Sequence, residues 1–188
     1  MKNIFHKGHK NARNKYKTKE NADYWLDILD TSKLNDAMKN MIMSIEYFFF
    51  ATASPTGQPN LNFKGGDKGF LHVVNEKRLV FPDLLGNGIM HSMGDLELNN
   101  KVSLLIADFN QNARIKIIGK ATVIYEDVYI HEYSEYFTSC SFDRLIIIDI
   151  DYVLPNCPKN LYLVSESVKN FDKKEKDLNI IKKLCGFI

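Results

Sequence analysis

The sequence predicts a mostly β protein with peripheral helices (α+β), folded as an antiparallel barrel. Two observations carry that expectation. From Tyr47 onward the chain is a series of short, apolar, β-branched and aromatic runs separated by turn residues. Only two helical stretches interrupt the series, too few for the crossovers that a parallel βαβ sheet demands. The length of 188 residues suits one domain spanning 1–188, and no repeat or low-complexity linker divides it. A composition 45% hydrophobic and 26% charged excludes collagen-like, mucin-like and wholly disordered classes.

The elements follow in order. Residues 1–19 hold Lys2, Lys7, Lys10, Arg13, Lys15, Lys17 and Lys19 and no acid, so a basic arm of charge +7 precedes a remainder of −5. Such an arm binds nucleic acid, docks on anionic lipid, covers an anionic ligand or stays solvated. Ala22 to Asp30 reads as a short helix with Trp25, Leu26 and Leu29 on one face. Ser32 to Ile45 repeats Leu34, Met38, Met41, Ile42 and Ile45 at helical spacing, with the methionines as core filler. Strands are expected at Tyr47–Ala53, Leu61–Lys64, Phe70–Val74, Arg78–Phe81, Val102–Asp108, Arg114–Tyr125 and Leu145–Asp151. Asn75, Glu76 and Lys77 form a hairpin turn between the third and fourth. The interrupting helices are His91 to Leu98 and Val128 to Phe137, and a charged helical tail occupies 169–188.

The arm lacks the apolar stretch of a signal peptide, and no run of about 18 apolar residues occurs, so a cytoplasmic protein is expected. Cys140, Cys157 and Cys185 are odd in number and widely spaced, as free thiols of a reducing compartment would be. Common catalytic signatures are absent: no GxSxG, Walker loop, HExxH or GxGxxG is present. No metal site is expected either. His6 and His9 could share an ion on a helix, but without a partner motif they read as a solvated pair.

Three blocks carry candidate chemistry. In Pro59 to Gly69 (PNLNFKGGDKG), a strand ends at Lys64 and runs into Gly65 and Gly66. That puts a cation beside backbone able to approach a ligand, or equally makes a glycine turn with a surface lysine. In Phe81 to Asp95 (FPDLLGNGIMHSMGD), an Asn87-Gly88 turn leads to a helix start. Ser92 and Asp95 have capping-box spacing, although Gly88 or Met90 could begin the helix instead. Amides there, with His91 and the Ser92 hydroxyl, suit a phosphate. In Arg114 to Ala121 (RIKIIGKA), alternation puts Arg114, Lys116 and Ile118 on one strand face and Ile115, Ile117 and Gly119 on the other. Two cations on one face are either solvated or share an anion.

Taken in order, FFFATASPTGQPNLNFKGGDKGF at 48–70, LVFPDLLGN at 79–87, LNNKVSLLIAD at 98–108, IKIIGKATV at 115–123 and NCPK at 156–159 resemble the pyridoxamine 5′-phosphate oxidase-related branch of FMN-binding split β-barrel proteins. FHKGHKNA at 5–12 is similar to a leader some members carry. The resemblance implies a six-stranded antiparallel split barrel with its core at 46–160, a homodimer, and FMN bound at the subunit interface. It implies cofactor-binding roles for Lys64, Asp83, Asn87, Ser92, Lys116 and Lys159, beside His91 and Arg114 from the residue reading. This chain departs from relatives that carry arginines after the GN pair, having Gly88 and Ile89, and from the Asn of the following helix, having Asp95. The function implied is a flavin-dependent oxidoreductase acting on a small molecule. The alternative is a module holding flavin, another phosphorylated ligand or a tetrapyrrole without turnover. Nucleic acid is not an expected partner, since the arm offers only Phe5 and Tyr16 for stacking and the remainder is net acidic, and a membrane is not expected without an apolar span.

Overall fold

The computed structural model describes residues 5–28, 32–84, 86–125, 127–138 and 141–155. Its strands are β1 (Tyr47–Ala53), β2 (Pro59–Gly65), β3 (His72–Asn75), β4 (Arg78–Pro82), β5 (Lys101–Asp108), β6 (Ala113–Ile124) and β7 (Leu145–Pro155). The helices are α1 (Lys7–Lys15), α2 (Lys19–Ile28), α3 (Asp36–Ser44), α4 (His91–Leu98) and α5 (Asp127–Ser134), the last followed by a 3-10 turn at Glu135–Phe137. One sheet of seven strands runs β2-β1-β5-β6-β7-β4-β3, with every pairing antiparallel. The expected mostly β, antiparallel architecture with flanking helices is therefore what the chain forms, with seven strands where the resemblance implied six.

The sheet is rolled. In its strand order, β5, β6 and β7 lie between β1 and β4, yet the Phe48 and Phe81 rings meet at 5.1 Å between centroids and Phe50 and Phe81 at 5.5 Å. Inward side chains of strands far apart in the sheet can touch only if it curls around them. Phe48, Phe50 and Phe81 are fully buried, each contributing about 1.5–3 kcal/mol through area removed from water. Leu104, Ile106, Ile117, Ile146, Ile148 and Val153 complete that interior, and Leu34, Met41, Ile42 and Ile45 around α3 close it, as their helical spacing predicts. Helix α3 is capped by Asn35, whose Oδ1 accepts from the Met38 amide at 2.9 Å, and it starts at Asp36, four residues inside the expected start.

Two local features shape the roll. The β6–β7 register shifts between Ile118 and Gly119, and a Cβ at Gly119 would collide with the Asp149 carbonyl oxygen, so only glycine fits where β7 crosses so closely. Among the described residues, β2 pairs only with β1 and β3 only with β4, which leaves a seam between the two edges.

Strand alternation is regular, but its polarity differs from strand to strand. Along β6, Ile115, Ile117, Gly119 and Ala121 are buried, and Arg114, Lys116, Ile118 and Lys120 face outward, as the alternation predicts. Along β2 the sense is reversed. Asn60, Asn62 and Lys64 are the half-buried positions, while Leu61 and Phe63 are 65% and 63% exposed. On the outer surface Leu61 joins Phe49, Ala51, Ser103 and Leu105 around an apolar groove of about 270 Å³.

The basic arm holds an element its composition did not reveal: Lys7–Lys15 is helical, capped by His6, whose Nδ1 accepts from the Gly8 amide at 3.0 Å. His6 stacks on His9 at 3.8 Å. The expected tail at 169–188 and the NCPK segment lie outside the described residues.

Candidate functional site

The inward polar residues of β2 open onto a cavity of about 420 Å³. Its walls are Asn62 and Lys64 from β2, Asp83 and Leu84 after β4, the loop Gly86 to Met90, the start of α4, and Arg144 just before β7. It lies where β2 comes opposite the end of β4, beside the seam.

Two cations converge on one carboxylate there. Lys64 Nζ donates to Asp83 Oδ1 at 3.1 Å, and Arg144 Nε and Nη2 donate to Oδ2 at 3.2 and 3.1 Å. The Asp83 amide in turn donates to the Arg144 carbonyl at 3.0 Å. Asp83 is buried and the two cations are only partly exposed, so the cluster leaves one uncompensated positive charge on a sheltered wall.

The opposite wall is a helix start without a lid. Met90 is the N-cap of α4 in the left-handed region (φ 57°), and no side chain caps the helix. Gly88 before it has φ +77°, a conformation glycine adopts without strain. Asn87 shapes this loop, its Oδ1 accepting from the Ile89 amide at 3.1 Å. First-turn amides have no intrahelical acceptor, and the helix dipole adds partial positive charge at the same place. The capping box expected from Ser92 and Asp95 does not form. Ser92 lies inside the helix, and its hydroxyl accepts from Asn62 Nδ2 at 2.7 Å and Asn60 Nδ2 at 3.4 Å. Asp95 is buried and accepts from Thr52 Oγ1 at 2.6 Å and Asn60 Nδ2 at 3.3 Å. An aspartate here is thus a structural acceptor that ties α4 to β1 and β2.

Of the residues singled out in the sequence, Lys64, Asp83, Asn87, His91 and Ser92 line this one cavity. Arg114 and Lys116 do not; they stand on the outer face of β6, at positions opposite in sense to the buried Ile115 and Ile117. Lys159 lies outside the described residues. Arg144 and Asn62 were missed. The alternation of Asn60, Asn62 and Lys64 against Leu61 and Phe63 could have exposed Asn62, whereas Arg144 carries no motif and reaches Asp83 across 61 positions of chain.

A smaller cavity of about 260 Å³ adjoins the first at Leu84, walled by Phe70, Pro82, Tyr136 and Phe137. Near it His72 stacks flat on Tyr136 at 3.9 Å, and burial holds the imidazole pKa below its ordinary value, against a smaller upward pull from Glu135. Among the described residues no three metal-ligating side chains gather, and no helix is long and apolar enough to cross a membrane.

A rolled antiparallel sheet with a cation-walled cavity at its seam defines the protein as a β-barrel. The family model for pyridoxamine 5′-phosphate oxidase matches residues 34–152, and the chain belongs to that family. Among solved structures, an FMN-binding protein from Syntrophomonas wolfei is similar over 74% of this chain and 96% of its own, with 10% identity and a TM-score of 0.52. Group A Streptococcus HupZ is similar over 65% and 93%, with 18% identity and a TM-score of 0.53. At such identities these likenesses establish the fold. No curated protein matches the sequence.

Proposed function

We propose that the chain binds FMN in the seam cavity and acts as a cytoplasmic, homodimeric, flavin-dependent oxidoreductase on a small molecule. The observation that carries this reading is the facing of two walls: Lys64 and Arg144 on Asp83, and the uncapped start of α4. Together they provide charge-assisted and amide donors of the kind a phosphate monoester requires. The volume of about 420 Å³ lies within the range of cofactor sites. Lys64, Arg144 and the amides of His91 and Ser92 would hold the phosphate, while Asn62 and Asn87 offer amide groups to the remainder. FMN, when bound, would supply hydride or single-electron chemistry at its ring, leaving the chain to bind, orient and shield it.

The outer sheet face supports the homodimer. Phe63, Phe49, Leu105 and Lys116 stand in one cross-strand row, and Leu61, Ala51, Ser103 and Ile118 in the next. Exposed contiguous apolar surface of this kind marks a contact with another protein. Lys116 and Arg114, at the β6 side of those rows, would then stand at the subunit boundary.

Purified protein should absorb near 450 nm, about where oxidised flavin does. NADH or NADPH should bleach that band, and a suitable acceptor should restore it. Lys64→Ala and Arg144→Ala should each weaken FMN binding about tenfold, as expected for losing a charge-assisted hydrogen bond. Colourless protein that takes up no FMN at high micromolar concentration would refute the reading. Bleaching without reoxidation by any acceptor would reduce it to flavin carriage.

A further inference from the structure

The two cations that line the seam cavity are already engaged. Lys64 Nζ meets Asp83 Oδ1 at 3.1 Å, and Arg144 Nε and Nη2 meet Oδ2 at 3.2 and 3.1 Å, so each carboxylate oxygen holds a cation. The Asp83 side chain is 7% exposed, against 22% for Lys64 and 25% for Arg144. The anion is thus the most deeply buried of the three and the least screened by solvent.

A carboxylate so placed does two opposite things. With the cavity unfilled, it holds together two partly buried cations that would otherwise repel. With a phosphate in the cavity, it becomes a second anion on the same two cations. An ammonium carries three N–H donors and a guanidinium five, so two remain on Lys64 and three on Arg144 for a ligand. A phosphate oxygen accepting from Lys64 at about 2.8 Å stands no more than about 6 Å from Asp83. Like charges at that range in a sheltered place cancel much of what the cations contribute.

We propose that Asp83 is a specificity-determining residue. It is an internal stand-in for phosphate that keeps free orthophosphate out of the cavity and admits a phosphate ester whose remaining atoms fill the rest. This deepens the reading above and rests on the cavity taking a phosphate. Orthophosphate has nothing to bind beyond the cations and the α4 amides, and on the cations Asp83 competes with it. An ester gains in addition from Asn62, Asn87 and the apolar side chains of Leu84, Ile89 and Met90. Asp83 thereby turns a general anion site into one that reads the body of the ligand.

Asp83→Asn tests this, because the amide keeps the shape, its Oδ1 can still accept from Arg144, and the negative charge is gone. Calorimetric titration with orthophosphate alone should give the variant an affinity at least about tenfold above the wild type's. The variant's thermal midpoint should lie below the wild type's without phosphate and climb as orthophosphate is added. Riboflavin, which lacks the phosphate, should bind both proteins alike. Equal or weaker orthophosphate binding by a folded variant would overturn the proposal and make Asp83 a strut for the cations. A change in riboflavin binding as large as that in orthophosphate would also sink it, since the whole cavity would have rearranged. If the variant does not fold, the wild type decides: its orthophosphate dissociation constant should exceed about 1 mM, and a tighter one refutes the proposal. The flavin reading fails separately. A variant that gains orthophosphate while neither protein takes up FMN or riboflavin removes that reading and upholds the role of Asp83.

Discussion

Strands β2 and β6 obey the same alternation with opposite polarity. On β6 the inward residues Ile115 and Ile117 join the core, and the outward ones include Arg114, Lys116 and Lys120. On β2 the inward residues are Asn60, Asn62 and Lys64, and the outward ones are Leu61 and Phe63. The two strands lie in one sheet, β6 central and β2 at an edge. A central strand must present apolar groups to the interior. An edge strand beside a seam can present polar groups inward, because the space behind it is a cavity, and apolar groups outward, where a partner can cover them. Inverted polarity on an edge strand thus points to two surfaces at once.

The largest test of this contrast is on β6. Ile117→Ala should lower unfolding free energy by about 3 kcal/mol, a typical cost for a truncated core isoleucine, while Lys116→Ala next to it should stay within about 0.5 kcal/mol in the monomer. Urea unfolding of both compares the two faces of one strand directly, and equal losses would break the contrast. Next in size, Leu61→Asp should weaken self-association by about 2 kcal/mol, roughly thirtyfold, with little change in monomer stability. If it instead unfolds the chain, Leu61 is a core residue and β2 is not inverted.

The smallest effect concerns the opposite edge, where His72 on β3 is half-buried. Its folded pKa lies below the ordinary 6.5 that the unfolded chain keeps, chiefly through desolvation. On acidification through that window the unfolded state takes up a proton the folded state resists, so stability falls as pH drops and is fully present above it. His72→Phe should keep the stack on Tyr136 and show a shallower loss of urea midpoint between neutral and mildly acidic pH. Identical slopes would show that this edge carries no polar sensitivity of its own.

Most of the fold was legible because its signals are local. β1 and α4 fall on the expected residues, and the other nine helices and strands expected before residue 156 shift only at their ends, where fraying, caps and bulges decide. Helix α1 was hidden because four cations and no apolar face give no helical period. The cavity was legible where a motif marks the chain, at Lys64, Asp83, Asn87, His91 and Ser92, and opaque where topology decides. Arg144 is recruited by the pairing of β7 with β4. Arg114 and Lys116 were read correctly as sharing a face, but only the rolled sheet tells that this face is the outer one.

Among the described residues, β7 is the one strand that joins the β2-β1-β5-β6 group to the β4-β3 hairpin. It is also the last of the described strands, pairing Arg78 with Asp149 across 71 positions. During synthesis the hairpins β1–β2, β3–β4 and β5–β6 can form as they emerge, each closing a short loop. The barrel itself must wait for residues 145–155, and until then β4 and β6 expose apolar edges that invite wrong pairing. The order of emergence from the ribosome therefore makes β7 the keystone, and a stall or truncation before it leaves two unjoined half-sheets.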